Sequence, residues 1–207
     1  TFPDDLITDI TNLDPEEFLD DLGALTGDSD AIEDIFDGIR TVIGYATSSD
    51  GKTWTKVNSE VLAGSSSALW ESVGAPCVIK ENDTSYKMWY TRAKIDLTQT
   101  ELEDILDEIA GGERKDAILD LLNSTGTVID YATSSDGVTW AVQNYQVLPV
   151  SSDVGVWGSV ADPSVIKNSD TDYEMWYTRA NTDVTRANLD TILTNINIGT
   201  FGIDDLL

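Results

Sequence analysis

Residues 43–54 read IGYATSSDGKTW, and residues 129–140 read IDYATSSDGVTW, an offset of 86. Working outward, SVGAPCVIK at 72–80 returns as SVADPSVIK at 159–167, and YKMWYTRA at 86–93 returns as YEMWYTRA at 173–180, both offset by 87. LTQTELEDILDEI at 97–109 matches VTRANLDTILTNI at 184–196 at the same offset, and NLDPEEFLDDLGAL at 12–25 is a third copy of that stretch. Self-similarity at a fixed period marks a repeat architecture, in which each unit buries its faces against its neighbours.

The repeated segments read as short strands, four to seven residues long, because aromatic and β-branched residues fill runs bounded by turn chemistry. SSDG before Trp54 and Trp140 is a tight turn, with Asp accepting backbone hydrogen bonds and Gly supplying positive φ. Tyr86, Met88 and Tyr90 alternate with Lys87, Trp89 and Thr91, so both faces of that strand need covering. Between the strand groups the period changes. Ile32, Ile35, Phe36 and Ile39 fall at i, i+3, i+4 and i+7, as do Leu102, Ile105, Leu106 and Ile109, and Leu189, Ile192, Leu193 and Ile196, which is one stripe of a helix. Thr98 with Glu101 reads as a capping box, and Asp14-Pro15 with Glu17 as an N-cap followed by Pro at the first helical position. Each insert is expected to be a helical hairpin, broken at 23–27 in the first and at Gly111-Gly112 in the second.

This order of strands resembles the four-stranded blade of the five-bladed β-propeller glycosidase superfamily, the furanosidase-like enzymes of glycoside hydrolase families 43 and 32. The resemblance covers about 40 to 45 residues of each copy. A sialidase Asp-box, Ser-x-Asp-x-Gly-x-Thr-Trp, is similar but has one residue more between its Asp and Gly than Ser49-Asp50-Gly51-Lys52-Thr53-Trp54. The resemblance implies that PxVIK is the innermost strand lining a central channel, MWYT the second, YATSSDG the third and the segment ending in VL the outermost. The expected architecture is therefore mainly β, with propeller-like four-stranded blades, α-helical hairpin insertions and split half-blades at both ends. Its boundaries are an acidic helical hairpin at 1–40, the second half of a first blade at 41–71, and a full blade at 72–158 with its helical insert at about 96–123. The first half of a third blade follows at 159–180 and a C-terminal helix at 181–207. Two blades' worth of strands do not close a ring. The chain is thus expected to be a piece of a longer array or to form homo-oligomers in which the end halves complete one another, a trimer being favoured over a dimer.

Composition narrows the partners. Against 38 acidic side chains stand 12 basic ones, a net charge of −26, with a pI near 4.1. Nucleic acid and anionic membrane surfaces require basic patches, so both are excluded. There is no His and one Cys, Cys77, so Ser-His-Asp and Cys-His pairs, histidine-zinc sites and internal disulfides are excluded as well. Residues 1–40 carry 13 acids and one base, 95–123 nine and two, and 181–207 four and one, so most of the charge sits in the inserts. A solvated helix face accounts for such a run; the alternative is an acidic crown for divalent cations or a basic partner. Asp28, Asp30 and Glu33 are the nearest approach to a Ca²⁺ loop, yet they lack its Gly and its twelve-residue spacing. No metal site and no cofactor are assigned. No apolar run reaches the length of a bilayer span, and the first residues do not form a signal peptide. The chain reads as a mature or excised fragment of an extracellular or cell-surface protein.

Carboxylate chemistry is what remains for catalysis, and a glycosidase needs two carboxylates across one channel. Asp162 in ADPSVIK resembles the channel Asp-Pro of the family, where it would act as a base or tune its partner, while its counterpart Ala75 has no carboxylate. Glu71 is the candidate acid, although its counterpart is Gly158 and the family's Glu-Gly-Pro signature is absent. A turn residue before Pro163 is the plainer account of Asp162. Trp70 and Trp157 are candidate platforms for stacking sugar rings, against a role in wedge-shaped core between blades. Arg92 and Arg179 are candidate bidentate clamps for a carboxylate, against ion pairing with the acidic insert. Trp54, Trp89, Trp140 and Trp176 read as packing residues, and Cys77 as a small apolar filler. The leading expectation is a non-enzymatic repeat module for binding or assembly, with carbohydrate as the candidate ligand; the alternative is a glycoside hydrolase acting on a furanoside or related polysaccharide through Asp162 and Glu71. Because the two copies differ little at channel positions, the non-enzymatic reading leads.

Overall fold

The structure, a computed structural model, describes residues 40–65, 70–111, 114–150, 155, 157–185 and 187–188. The hairpin expected at 1–40, with its Asp14 cap and the acids Asp28, Asp30 and Glu33, lies outside the described residues, as does the C-terminal helix beyond 188. The strands are β1 (Ile43–Thr47), β2 (Thr55–Leu62), β3 (Trp70–Asn82), β4 (Ser85–Ile95), β5 (Thr125–Ser134), β6 (Trp140–Leu148), β7 (Gly158–Ser169) and β8 (Asp172–Asn181), with α1 (Gln99–Gly111) and α2 (Arg114–Ser124) between β4 and β5. They form a two-stranded sheet β1-β2, a four-stranded sheet β3-β4-β5-β6 and a two-stranded sheet β7-β8, all antiparallel. The molecule is mainly β, and the described residues close neither a ring nor a barrel.

β3 and β7 run to 13 and 12 residues, longer than the four to seven expected. The reason is a bulge in each first strand, between Gly74 and Cys77 and between Ala161 and Ser164, which lets the ladder resume beyond a kink that sequence alone marks as an end. At these bulges Ala75 and Asp162 take φ of 47° and 53°. An Asp tolerates this left-handed region better than an Ala does.

Local chemistry repeats as closely as the sequence. In the first turn Lys52 N and Thr53 N each donate to Asp50 Oδ1 at 2.8 Å, and Gly51 N donates to Ser48 Oγ at 2.9 Å. In the second, Val138 N and Thr139 N donate to Asp136 Oδ1 at 2.8 and 2.7 Å, and Gly137 N to Ser134 Oγ at 2.8 Å. Gly51 and Gly137 sit at φ 72° and 75°, the conformation for which Gly is needed. Thr98 and Glu101 form the capping box: Thr98 N donates to Glu101 Oε2 at 2.7 Å while Glu101 N donates to Thr98 Oγ1 at 3.3 Å. α1 and α2 then fold on one another over Leu102, Ile105, Ala117 and Leu119, all buried. Asp96 N to Ser124 O, at 2.8 Å, closes the base of the hairpin.

The sheets are joined by a repeated device. Thr41 N donates to Ser72 Oγ at 2.6 Å, and 86 to 87 residues later Thr127 N donates to Ser159 Oγ at 2.8 Å. A hydroxyl at the start of each first strand thus takes up a backbone donor from the third-strand side of the preceding sheet, one that would otherwise be unsatisfied. At the far end of the same junction Val165 N donates to Cys77 Sγ at 3.1 Å and Asp162 N to Thr91 Oγ1 at 2.8 Å. Cys77 is therefore a junction residue as well as a small filler. The core cluster lies where β1, β2, β3, β4 and β5 meet, around Ile43, Leu62, Val73, Met88, Tyr90 and Ala132.

The turn carboxylates set an acid limit on the fold. Backbone donors from Thr53 and Lys52, with the Ser48 hydroxyl, hold Asp50 down at about 2, and those of Thr139 and Val138 lower Asp136 in the same way. A depressed carboxylate contributes stability in full above its unfolded pKa, and that contribution fades as pH falls through the folded value. The difference in Tm between the native chain and the Asp50→Ala/Asp136→Ala variant should therefore be largest at pH 5 to 7 and narrow between about pH 4 and 2. A difference independent of pH in thermal scans would contradict this account of the turns.

Candidate functional site

The charged centre of the molecule is built around Arg92 on β4. Its Nε donates to Asp130 Oδ2 at 2.6 Å and its Nη1 to Glu71 Oε1 at 2.9 Å, so one guanidinium bridges β5 and β3 on either side of its own strand. All three groups are buried, with Arg92 and Glu71 each 6% exposed and Asp130 fully enclosed. The remaining oxygens are occupied too. Ser65 N donates to Glu71 Oε2 at 2.6 Å, and Gln146 N, turned inward by a φ of 53°, donates to Asp130 Oδ1 at 2.7 Å. Tyr145 covers the guanidinium with its ring centroid 5.1 Å away. Burial opposes the Arg92 charge, and the two carboxylates more than offset it, so its pKa is raised and the guanidinium stays charged. Beside it, burial and then the Asp130 charge push the Tyr90 hydroxyl far up, so it remains protonated.

This constellation decides what Glu71 offers. A general acid must present an oxygen to a leaving group, and both Glu71 oxygens are already acceptors within the protein. Asp162 lies on β7 at the bulge, exposed, and the structure shows no contact between the two carboxylates. The acids that Arg92 pairs with come from β3 and β5, not from the helical insert. The counterparts of Asp130 and Glu71 are Gly44 and Gly158, so the triad belongs to the complete sheet alone; Arg179, the counterpart of Arg92, is exposed on β8. Asp130 was not among the candidates from sequence. The available signal was that the two copies differ at 44 and 130 inside an otherwise invariant YATSSDG strand, where one copy carries an acid and the other Gly.

Trp70 and Trp157 are half-buried at the starts of β3 and β7. Trp157 helps line a cleft of about 340 Å³ at the base of the helical hairpin, with Lys94, Asn123 and Gln146 among its walls. Lys94 is itself paired with Asp96. Trp89 stacks obliquely on Tyr131 at 5.2 Å and on Tyr173 of the next sheet at 5.8 Å, and Trp140 packs on the core. Trp54 and Trp176 depart from the packing role expected of them: they are 62% and 57% exposed, because the strands that cover Trp140 and Trp89 have no counterpart beside them among the described residues.

A second polar cluster lies between sheets. Glu81 Oε1 accepts from Lys167 Nζ at 2.7 Å, from Lys87 Nζ at 2.9 Å and from Tyr173 Oη at 2.9 Å, which pulls its pKa down to about 2. Among the described residues no group of three or more His, Cys, Asp or Glu is arranged to hold a metal ion, and no helix is long and apolar enough to cross a membrane.

No protein-family model matches the chain, and no curated protein matches it. A solved structure, that of a BT0996 RGII complex, aligns with a TM-score of 0.40 and 18% identity over 70% of this chain and 37% of that one. At that score and identity the likeness fixes neither fold nor function.

Removing the guanidinium strands two buried carboxylates. Arg92→Ala is expected to lose about 3–5 kcal/mol in urea unfolding. Arg92→Met combined with Glu71→Gln and Asp130→Asn should recover more than half of that loss, since no uncompensated charge is then buried. Equal losses in the two variants would show that packing, not charge, sets the cost.

Proposed function

We propose that the chain is a non-enzymatic repeat module, a binding and assembly protein whose half-sheets β1-β2 and β7-β8 are completed by other copies. The observation that carries the reading is the contrast between equivalent positions. Tyr90 on β4 is 1% exposed under β5, whereas its counterpart Tyr177 on β8 is 44% exposed and Trp176 beside it 57%. β8 ends the described sheets with the sequence of a second strand and no third strand beside it, and β1 is a third strand with no second. An uncovered edge with large apolar groups favours association. On this reading each copy contributes two four-stranded units to a propeller-like ring. A trimer with six units is favoured over a dimer with four, and both fall within the four to eight blades of closed propellers.

The hydrolase alternative loses its acid. Glu71 is committed to Arg92 and Ser65, and Asp162 has no facing carboxylate among the residues that contact it. For ligand binding the cleft beside Trp157 is the place the module offers. Its indole, two amide side chains and a neutralised lysine suit a small uncharged polar molecule such as a sugar better than an anion. The acidic inserts are read as solvated helix faces on the outer rim of the ring, and a secreted or surface setting accompanies the carbohydrate reading.

Multi-angle light scattering at micromolar concentration should give three times the 22.6 kDa chain mass; a stable monomer would sink the assembly reading. Aryl-furanosides, arabinan, xylan and fructan should remain intact, and Asp162→Asn should fold with a stability change of about 1 kcal/mol or less. Turnover that Asp162→Asn abolishes with an unchanged circular dichroism spectrum would establish the hydrolase instead.

A further inference from the structure

From the junction already present within the chain we infer the residue pairing of the junction between copies: Trp176 of one copy enters between Tyr45 and Tyr86 of the next, and Glu174 pairs with Lys80. This inference rests on the assembly reading above and specifies the surface that copy recognises.

The argument transfers one observed interface through the repeat. Within the chain Trp89 lies between Tyr131 on β5 and Tyr173 on β8. Subtracting the repeat offset from the two tyrosines, and adding it to Trp89, gives Tyr45, Tyr86 and Trp176. Tyr45 and Tyr86 belong to one chain and are half-buried, while the tryptophan that would lie between them can come only from another copy, and it is the one found 57% exposed. The β4-β5 ladder, in which Trp89 faces Tyr131 and Thr91 faces Ile129, sets the register: Trp176 opposite Tyr45 and Thr178 opposite Ile43.

The charges change between copies in a compensating way. Lys167 contacts Asp170 at 2.8 Å, Glu81 at 2.7 Å and the Tyr173 ring at 5.9 Å. Its counterpart Lys80 has the same first and third neighbours, Asp83 at 2.8 Å and Tyr86 at 5.6 Å. The carboxylate from the preceding first strand is what differs: Glu81 becomes Asn168, and Lys87, which touches Glu81 and Tyr173, becomes Glu174. The acid has moved from the first strand to the second, and one carboxylate still faces one lysine and one tyrosine. A third sign is Val78. Its counterpart Val165, pressed against Cys77, is 7% exposed, whereas Val78 is 48% exposed. What covers Val165 is the neighbouring sheet, and Val78 awaits the same cover from a second copy.

Sedimentation equilibrium on the full chain tests the pairing. Trp176→Ala should weaken association on the order of 100-fold, as loss of a central aromatic anchor does. Glu174→Lys alone should weaken it about 10-fold, and adding Lys80→Glu in the same chain should restore it. Glu103→Lys, the same charge change on exposed α1, should leave association unchanged. Far-ultraviolet circular dichroism of each variant should match the native chain, since Trp176, Glu174 and Lys80 are exposed within one copy. If the native chain is monomeric, the assembly reading falls and this inference with it. If the native chain associates while Trp176→Ala and Glu174→Lys associate equally well, assembly stands and this pairing is wrong.

Discussion

The pairing of a second strand with a third, across a helical hairpin, is the constraint on which the rest of the molecule depends. β4 and β5 meet in ten consecutive residue pairs, from Tyr86 with Ser134 to Ile95 with Thr125, without a bulge. That ladder buries Met88 and Tyr90, closes the Arg92 triad and gives α1 and α2 a fixed base through Asp96 and Ser124. Fully burying one large side chain contributes about 1.5–3 kcal/mol, so a sheet that lacks the ladder forgoes several such contributions. The outer sheets lack it, and the difference shows residue by residue in Tyr177 and Trp176.

The buried Arg92 triad is a consequence of that ladder. A guanidinium taken out of water carries a large desolvation cost, which only full pairing offsets. Here every carboxylate oxygen has a donor, and no buried side-chain nitrogen or oxygen among the described residues lacks a partner. Such a network fixes the register of β3, β4 and β5 against one another. It also engages both oxygens of Glu71, one with Arg92 and one with the Ser65 N–H.

Much of this was legible in the sequence, and the division follows range. The SSDG turns, the Thr98 capping box, the split of the hairpin after Gly111 and the two-faced burial of YKMWYTRA depend on neighbours within a few residues. Arg92 was legible only as a charge, because Glu71 and Asp130 lie 21 and 38 residues from it. The Ser72 and Ser159 hydroxyl contacts between sheets, spanning 31 and 32 residues, carry no local pattern. β3 and β7 exceed their expected length because a bulge is invisible to period-two reading: one extra residue at Ala75 or Asp162 resets the alternation. Trp54 and Trp176 sit in the same strand positions as Trp140 and Trp89, but among the described residues nothing equivalent lies beside them.

Where the copies differ is as informative as where they agree. Turns, second strands and junction hydroxyls are nearly the same, so the geometry that stacks one unit on the next is the same at each step. The differences fall in matched sets: Glu71 and Asp130 against Gly158 and Gly44, and Glu81 and Lys87 against Asn168 and Glu174. In each set the acids change while basic partners such as Arg92 and Lys167 are kept as Arg179 and Lys80, and each set lies either inside a sheet or between sheets. A catalytic centre would place its distinguishing residues toward a common open space, where only the substrate satisfies them. In this chain the distinguishing charges of the complete sheet are satisfied by one another, which is the behaviour of residues that tell one contact from the next.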